Sequence, residues 1–198
     1  MSIVTLAEHK VETSLINGGL AIDVGCRFFG FSQAMKDMGE TVLAFDIEDM
    51  EPPDGITFMK QAVLTYNGKV SFDPHRDKQA THIRFDGNKG ALDVECVSLN
   101  TIYRANEGKE IDILKLDCEG AEYFILSDPD FQPIPKQISF EMHMHAQPEL
   151  HRMFYDKCIA NLSKYYTPVS HEKTEAHGAG ENYWDSLWIK KDLMTVAE

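Results

Sequence analysis

Apolar and polar positions along this chain alternate between two spacings, and each predicts an element. Ala21-Ile22-Asp23-Val24 is a short, buried-type run ending at Gly25, which predicts a strand. Phe31 to Met38 has helical spacing and stops at Gly39. Thr41 to Phe45 predicts a second strand, ending at Asp46. Ile56 to Met59 predicts a third, with Ala62-Val63-Leu64 continuing or following it. Ile111 to Leu116 predicts a fourth strand and Gln137 to Met142 a fifth. Between them, Gly120 to Leu126 reads as helix, stopped near Pro129. Pro148 to Leu162 is the longest helix candidate, with Leu150, Met153, Phe154, Ile159 and Leu162 as its buried stripe. Tyr165 to Val169 and Ser186 to Ile189 are two more strands, separated by a polar stretch carrying Gly178 and Gly180. A long hairpin at the sheet edge follows. Tyr66 to Val94 is the least regular region, broken by Asn67-Gly68, Asp73-Pro74, Asp86-Gly87 and Lys89-Gly90.

Strands alternating with helices predict an α/β fold with a mainly parallel sheet. No repeat, low-complexity tract or linker divides residues 1–198, so a single domain is expected. Charge narrows the partners. Lys plus Arg number 19 and Asp plus Glu 32, a net charge of −13. That excess repels phosphate backbones and anionic lipid, so neither nucleic acid nor membrane is an expected partner. No apolar run approaches the roughly 18 residues of a membrane span. The first ten residues lack the basic-then-apolar order of a signal peptide. Cys26, Cys96, Cys118 and Cys158 form no C-x-x-C pair. Reduced thiols in a cytoplasmic protein are the expectation.

Candidate chemistry begins at Asp23-Val24-Gly25-Cys26-Arg27-Phe28-Phe29-Gly30-Phe31-Ser32, a strand-to-helix turn. In an open α/β sheet, ligands bind outside the carboxyl ends of the strands. A phosphate-binding P-loop would need lysine where Phe31 stands, and without it the phosphates lose their counter-charge. A dinucleotide loop would need glycine where Arg27 stands. S-adenosylmethionine carries no phosphate and needs hydrogen-bond acceptors for its ribose. Asp46, about twenty residues on at the end of the second strand, is such an acceptor; its plain alternative is a solvated loop acid. Further along, Ile113-Leu114-Lys115-Leu116-Asp117-Cys118-Glu119-Gly120-Ala121-Glu122 places three acids at a strand end, before a helix. Asp117 would face the same crevice as Asp23 and Asp46. Glu119 and Glu122 are candidate helix-capping acids, favoured by the helix dipole.

These residues resemble the FkbM family of methyltransferases that use S-adenosylmethionine. The family's Asp-Val-Gly, Phe-Glu-Pro and Lys-x-Asp-x-Glu-Gly-x-Glu motifs correspond to Asp23-Val24-Gly25, to Ala44-Phe45-Asp46 and to Lys115 through Glu122. Ser98-Leu99-Asn100 is similar to its Thr-Leu-Asp, and Glu141-Met142-His143 to its Glu-x-His. The similarity runs from about Leu20 to Trp188. It implies a Rossmann-like class I methyltransferase fold: a central seven-stranded, mostly parallel sheet with an antiparallel last strand and helices on both faces. It implies S-adenosyl-L-methionine as cofactor and O-methylation of a small-molecule or glycan hydroxyl acceptor. Several positions depart from the pattern. Arg27 replaces an asparagine, Phe29 replaces the second glycine, and Gly30 comes one position late; Asp46 stands where glutamate is more usual, and Asn100 where the motif has an acid. Three readings stay open: a shifted loop, an Arg27 that pairs with the methionine carboxylate, or weak or lost cofactor binding. The last would leave a non-catalytic binding or partner subunit.

The site that the resemblance implies has two sides. Asp23, Gly25, Arg27, Phe28, Gly30, Asp46 and Asp117 hold the cofactor, and Gln61 and Ala62 border its adenine. Glu119, Glu141 and His143 serve the acceptor. Methyl transfer to an alcohol needs its oxygen deprotonated, by a base or by a metal that lowers its pKa. Along an extended strand Glu141, His143 and His145 share one side. His143, with an ordinary pKa of about 6.5, is the expected general base. A divalent metal, magnesium or manganese, on Asp117, Glu119, Glu141 and His143 is the alternative use of those groups and is not the prediction. His151, His171 and His177 read as solvated, and Trp184 as a sugar or adenine platform or a core residue.

Overall fold

A computed structural model describes residues 1–73, 82–83, 92–143, 148–175 and 182–194. In chain order, β1 (Ile3–Leu6) and β2 (His9–Glu12) form an antiparallel hairpin. Then come β3 (Leu20–Val24), α1 (Gly30–Asp37), β4 (Thr41–Asp46) and β5 (Ile56–Lys60). The next segment holds β6 (Ala62–Leu64), β7 (Gly68–Asp73), β8 (His82–Ile83), β9 (Leu92–Ser98) and α2 (Leu99–Ala105). The rest is β10 (Ile111–Leu116), α3 (Ala121–Ser127), β11 (Gln137–His143), α4 (Pro148–Leu162), β12 (Tyr166–Glu175) and β13 (Asn182–Lys190).

The main sheet has seven strands in the order β12-β13-β11-β10-β3-β4-β5. Its pairings from β11 through β5 are parallel, and β13 runs antiparallel to both its neighbours. This is the sheet the motifs led one to expect, including the closing hairpin. β3 and β10 are buried along their whole length, so they read as mostly apolar, and the charges within them, Asp23, Asp112 and Lys115, need buried partners.

The two faces of the sheet are covered differently. On one, Ile22, Leu114, Phe140 and Met142 pack with Ile102 of α2, Tyr123 and Leu126 of α3, and Cys158 and Leu162 of α4. On the other, Ala21, Val42, Ala44 and Ile113 pack with Phe31 and Met35 of α1 and Val11 of β2. Each large side chain fully buried in these layers contributes about 1.5–3 kcal/mol. The hairpin covers a polar strip. Gln137, Ser139, Glu141 and His143 alternate along β11, share its second face and are all buried. The Gln137 side chain accepts from Glu12 N at 2.8 Å and donates to Glu12 O at 3.1 Å. Lys10 Nζ reaches Ser170 Oγ at 2.7 Å and Glu172 at 2.8 Å.

Of the two alternatives for Ala62–Leu64, it follows β5: after a turn at Gln61 it pairs with β9 in a second sheet of order β6-β9-β7-β8. Two expectations change. The region expected to be irregular thus supplies strands of that sheet. In α4, Met153 is 62 % exposed, and Cys158 joins Leu162 on the buried face, with Phe154 and Ile159 partly covered. The side chain of Leu150 lies outside the described residues. No helix among the described residues is long and apolar enough to cross a membrane. All four cysteines are free, and Cys26, Cys96 and Cys158 are buried.

Candidate active site

Strand order reverses between β3 and β10. The crevice at the carboxyl ends of the strands flanking such a reversal is where open α/β sheets bind ligands. Two loops border it. In the loop after β3, Gly25 has φ +77°, and a Cβ there would stand 1.7 Å from the Asp117 carbonyl oxygen of the loop after β10. Only glycine permits that approach. Arg27 and Phe29 also have positive φ, 26° and 55°. Phe29 thus stands in a left-handed conformation that glycine adopts readily. Such a conformation costs a bulky residue on the order of 1–3 kcal/mol. The Phe29 ring is buried edge-on to Phe58, which offsets part of that. The Arg27 guanidinium lies 4.8 Å over the ring of Phe28, which is 82 % exposed. Gly30 opens α1, with Ala7 of the hairpin turn packed beside it.

A buried cation ties the two loops together. Lys115 Nζ donates to Gly25 O at 2.6 Å and lies 3.1 Å from Asp23 Oδ1 and 3.6 Å from Asp117 Oδ2. Burial disfavours the ammonium, but Asp23 and Asp117 outweigh it and hold its pKa above the usual lysine range. Asp23 is fully buried, and its second oxygen accepts from Ser32 Oγ at 2.6 Å. It sits inside the sheet, behind the loop that it anchors. Asp46, at the end of β4, is partly exposed. Its two oxygens accept from Arg27 N and Glu48 N, each at 3.0 Å. Gln61 is half-buried where the chain leaves β5, and Ala62 is buried in β6.

On the other side of the crevice the structure brings Asp117, Glu119, Glu141 and His143 together. His143 Nε2 lies 3.6 Å from Glu141 Oε2, 3.7 Å from Asp117 Oδ1 and 3.9 Å from Glu119 Oε1. Its Nδ1 lies 3.9 Å from Glu122 Oε1. Burial disfavours the imidazolium, yet the four carboxylates outweigh it and raise the His143 pKa. Burial, then the Asp117 charge, pushes Glu141 up to about 8. Burial pushes Glu119 up to about 7, with His143 opposing. Asp117 goes the other way: Lys115, His9 and His143 overcome its burial and hold its carboxyl well below the usual range. Glu122 is the capping acid. Fully buried, it accepts from Gly120 N at 2.7 Å and from Cys118 N, which fixes the turn where Glu119 and Gly120 adopt positive φ. His145 lies outside the described residues.

Several residues at the site carried no role in the sequence reading. Lys115 had a signal: a charge inside an apolar strand needs a buried partner, and Asp117 two residues on shares its side. His9 had none. It reaches Asp117 Oδ2 at 3.5 Å only because the hairpin folds over the sheet. His171, expected to be solvated, is half-buried. It stacks on Trp184 with centroids 4.5 Å apart and bonds Tyr155 Oη at 2.6 Å and Ser186 Oγ at 2.5 Å. His151 likewise bonds Tyr123 Oη at 2.9 Å. Ser98 is the N-cap of α2, accepting from Thr101 N at 3.1 Å.

Residues 55–164, more than half of the chain, match the methyltransferase FkbM domain. The match includes Asp117 through His143; the Gly25 loop and the closing hairpin lie outside it. No curated protein matches the chain. Several solved structures are similar. One is the 1,6-didemethyltoxoflavin-N1-methyltransferase of Burkholderia thailandensis, with 1,6-didemethyltoxoflavin and S-adenosylhomocysteine bound. It is 14 % identical, over 89 % of this chain and 73 % of that one, with a TM-score of 0.43. The N-methyltransferase NodS of Bradyrhizobium japonicum is 12 % identical over 90 % of each chain, with a TM-score of 0.47. The Methanococcus jannaschii fibrillarin pre-rRNA processing protein is 10 % identical, over 96 % of this chain and 83 % of that one, with a TM-score of 0.46. The domain match and the motifs within it make this chain a member of the FkbM family of S-adenosylmethionine-dependent methyltransferases.

Proposed function

We propose that residues 1–198 act as one domain that methylates a hydroxyl oxygen of a sugar, a glycan or another small metabolite. The residues at the crevice fit the cofactor. Asp46 spends one hydrogen bond per oxygen on backbone N–H groups, which leaves lone pairs for ribose hydroxyls. The turn through Arg27, Phe28 and Gly30 borders the methionine end, with Asp117 beside it; Gly25 lets the two loops close against each other there. Asp23 acts from behind, through Lys115. Gln61 and Ala62 flank the adenine side.

When bound, S-adenosylmethionine supplies a methyl group on a sulfonium: the acceptor oxygen attacks in line, and the C–S bond breaks as the C–O bond forms. The chain's own task is to position the hydroxyl and take its proton. The observation that carries this reading is the ring of Asp117, Glu119, Glu122 and Glu141 around His143. Groups this close titrate as a unit. With Glu119 raised to about 7 and Glu141 to about 8, that unit exchanges a proton near neutral pH. His143, Glu119 and Glu141 together are the proton acceptor, with His143 at the centre.

The test is His143→Ala, with turnover and S-adenosylhomocysteine affinity measured side by side. Turnover is expected to fall by about 100-fold or more, with affinity changed far less. Unchanged turnover removes His143 from the mechanism.

A further inference from the structure

Asp117, Glu141 and His143 each offer one donor atom, and the three lie within 4.8 Å of one another. Two separations from His143 Nε2 are 3.6 Å to Glu141 Oε2 and 3.7 Å to Asp117 Oδ1. Around an octahedral ion with bonds of about 2.1 Å, adjacent ligand atoms stand about 3 Å apart and opposite ones about 4.2 Å. Shifts of a few tenths of an ångström in each side chain would bring these three donors onto one ion. The oxygen of Asp117 that faces His143 is not the one that Lys115 and His9 approach. The carboxylate is thus held by its rear oxygen with its front oxygen turned to the cluster.

A second observation is independent of that spacing. The Glu141 side chain is nine-tenths buried and accepts no hydrogen bond from any described residue. Its nearest charged neighbour is His143, beyond hydrogen-bonding distance. Asp185, paired with it across the sheet, adds another carboxylate on the same side. A carboxyl group this enclosed, with no hydrogen-bond donor beside it, calls for an explanation, and a bound cation supplies one.

We propose that Asp117, Glu141 and His143 bind a divalent first-row transition ion such as manganese, one donor atom from each, where β10 and β11 end. Mixed imidazole and carboxylate donors suit such an ion better than magnesium or calcium. The proposal rests on the reading of this crevice as the acceptor site and changes one part of it: with the ion bound, His143 and Glu141 are ligands, and the proton falls to Glu119 alone. The three donors leave positions open on an octahedral ion, so two neighbouring acceptor oxygens can bind together. That favours acceptors with vicinal oxygens, a diol or a hydroxy acid. Glu119, outside the donor set but 3.9 Å from His143, then takes the proton of the bound hydroxyl.

The experiment is a titration of chelator-stripped full-length protein with manganese(II), reading the loss of the free-ion paramagnetic resonance signal. Calorimetry with S-adenosylhomocysteine runs in parallel. One ion per chain is expected for wild type. Glu141→Gln should weaken the ion by at least about tenfold and still bind S-adenosylhomocysteine, which shows that it is folded. Asp46→Ala should keep the ion and lose S-adenosylhomocysteine. A wild type that binds S-adenosylhomocysteine but leaves the manganese signal unchanged overturns the ion site, as does a Glu141→Gln that binds manganese like wild type. Manganese binding without S-adenosylhomocysteine binding supports the ion and counts against the cofactor site alone.

Discussion

An ammonium enclosed in a sheet survives only if anions meet it, and Lys115 is met by two. Its third partner is the Gly25 carbonyl, so one side chain fixes both loops of the crevice. Lys115→Met would leave Asp23 charged, fully buried and opposed by nothing but Ser32. Removing one partner of a buried pair costs about 3–5 kcal/mol. Urea unfolding of Lys115→Met is expected to show a loss of that size. Pairing it with Asp23→Val should recover much of the loss, because the orphaned charge goes too. If the double variant is no more stable than the single, the lysine acts through packing and not through charge. Residue by residue, the motif positions were legible because charged groups at strand ends stand out against apolar runs. Their geometry was not. Asp23 lies within one apolar strand and Asp46 ends another; the first is sealed inside the sheet and the second is partly exposed.

At the scale of elements, periodicity served where an element buries one face against a neighbour. α4 spans Pro148–Leu162 as its spacing predicts, and the five strands from β3 to β11 in the main sheet fall where their apolar runs lie, while β12 and β13 run on into polar residues, to Glu175 and from Asn182. It failed where the pattern was polar or broken. The β1–β2 hairpin turns at Ala7 and Glu8, both at positive φ, with no glycine or asparagine to announce it. β7 is bracketed by the turn dipeptides Asn67-Gly68 and Asp73-Pro74, β9 follows Lys89-Gly90, and the two pair outside the main sheet. The terminal hairpin carries its own prediction. Burial lowers the pKa of His171 between α4 and β13. A lowered folded-state pKa means that this histidine's contribution is complete above its unfolded value of about 6.5 and is lost as pH falls. Melting temperature measured between about pH 7 and 5 should therefore fall less steeply in His171→Phe, which keeps the stack on Trp184, than in wild type. Equal slopes would place the titration elsewhere.

The whole molecule joins an apolar scaffold to one polar end. Helices α2, α3 and α4 cover one face of the sheet with a continuous hydrophobic layer. The N-terminal hairpin closes the other over Gln137, Ser139 and Glu141, and its His9 touches the site. Four carboxylates gather around His143 at the crevice. The family match, 55–164, covers the cluster around His143. In the proposed reading the cofactor side rests on Asp46 and on the Gly25 loop, where Arg27 and Phe29 have positive φ. The most direct test of the account is calorimetric titration of wild type and Asp46→Ala with S-adenosylhomocysteine. Micromolar binding by wild type that disappears in Asp46→Ala is the predicted result. A folded wild type that does not bind, or an Asp46→Ala that binds as tightly, would contradict it.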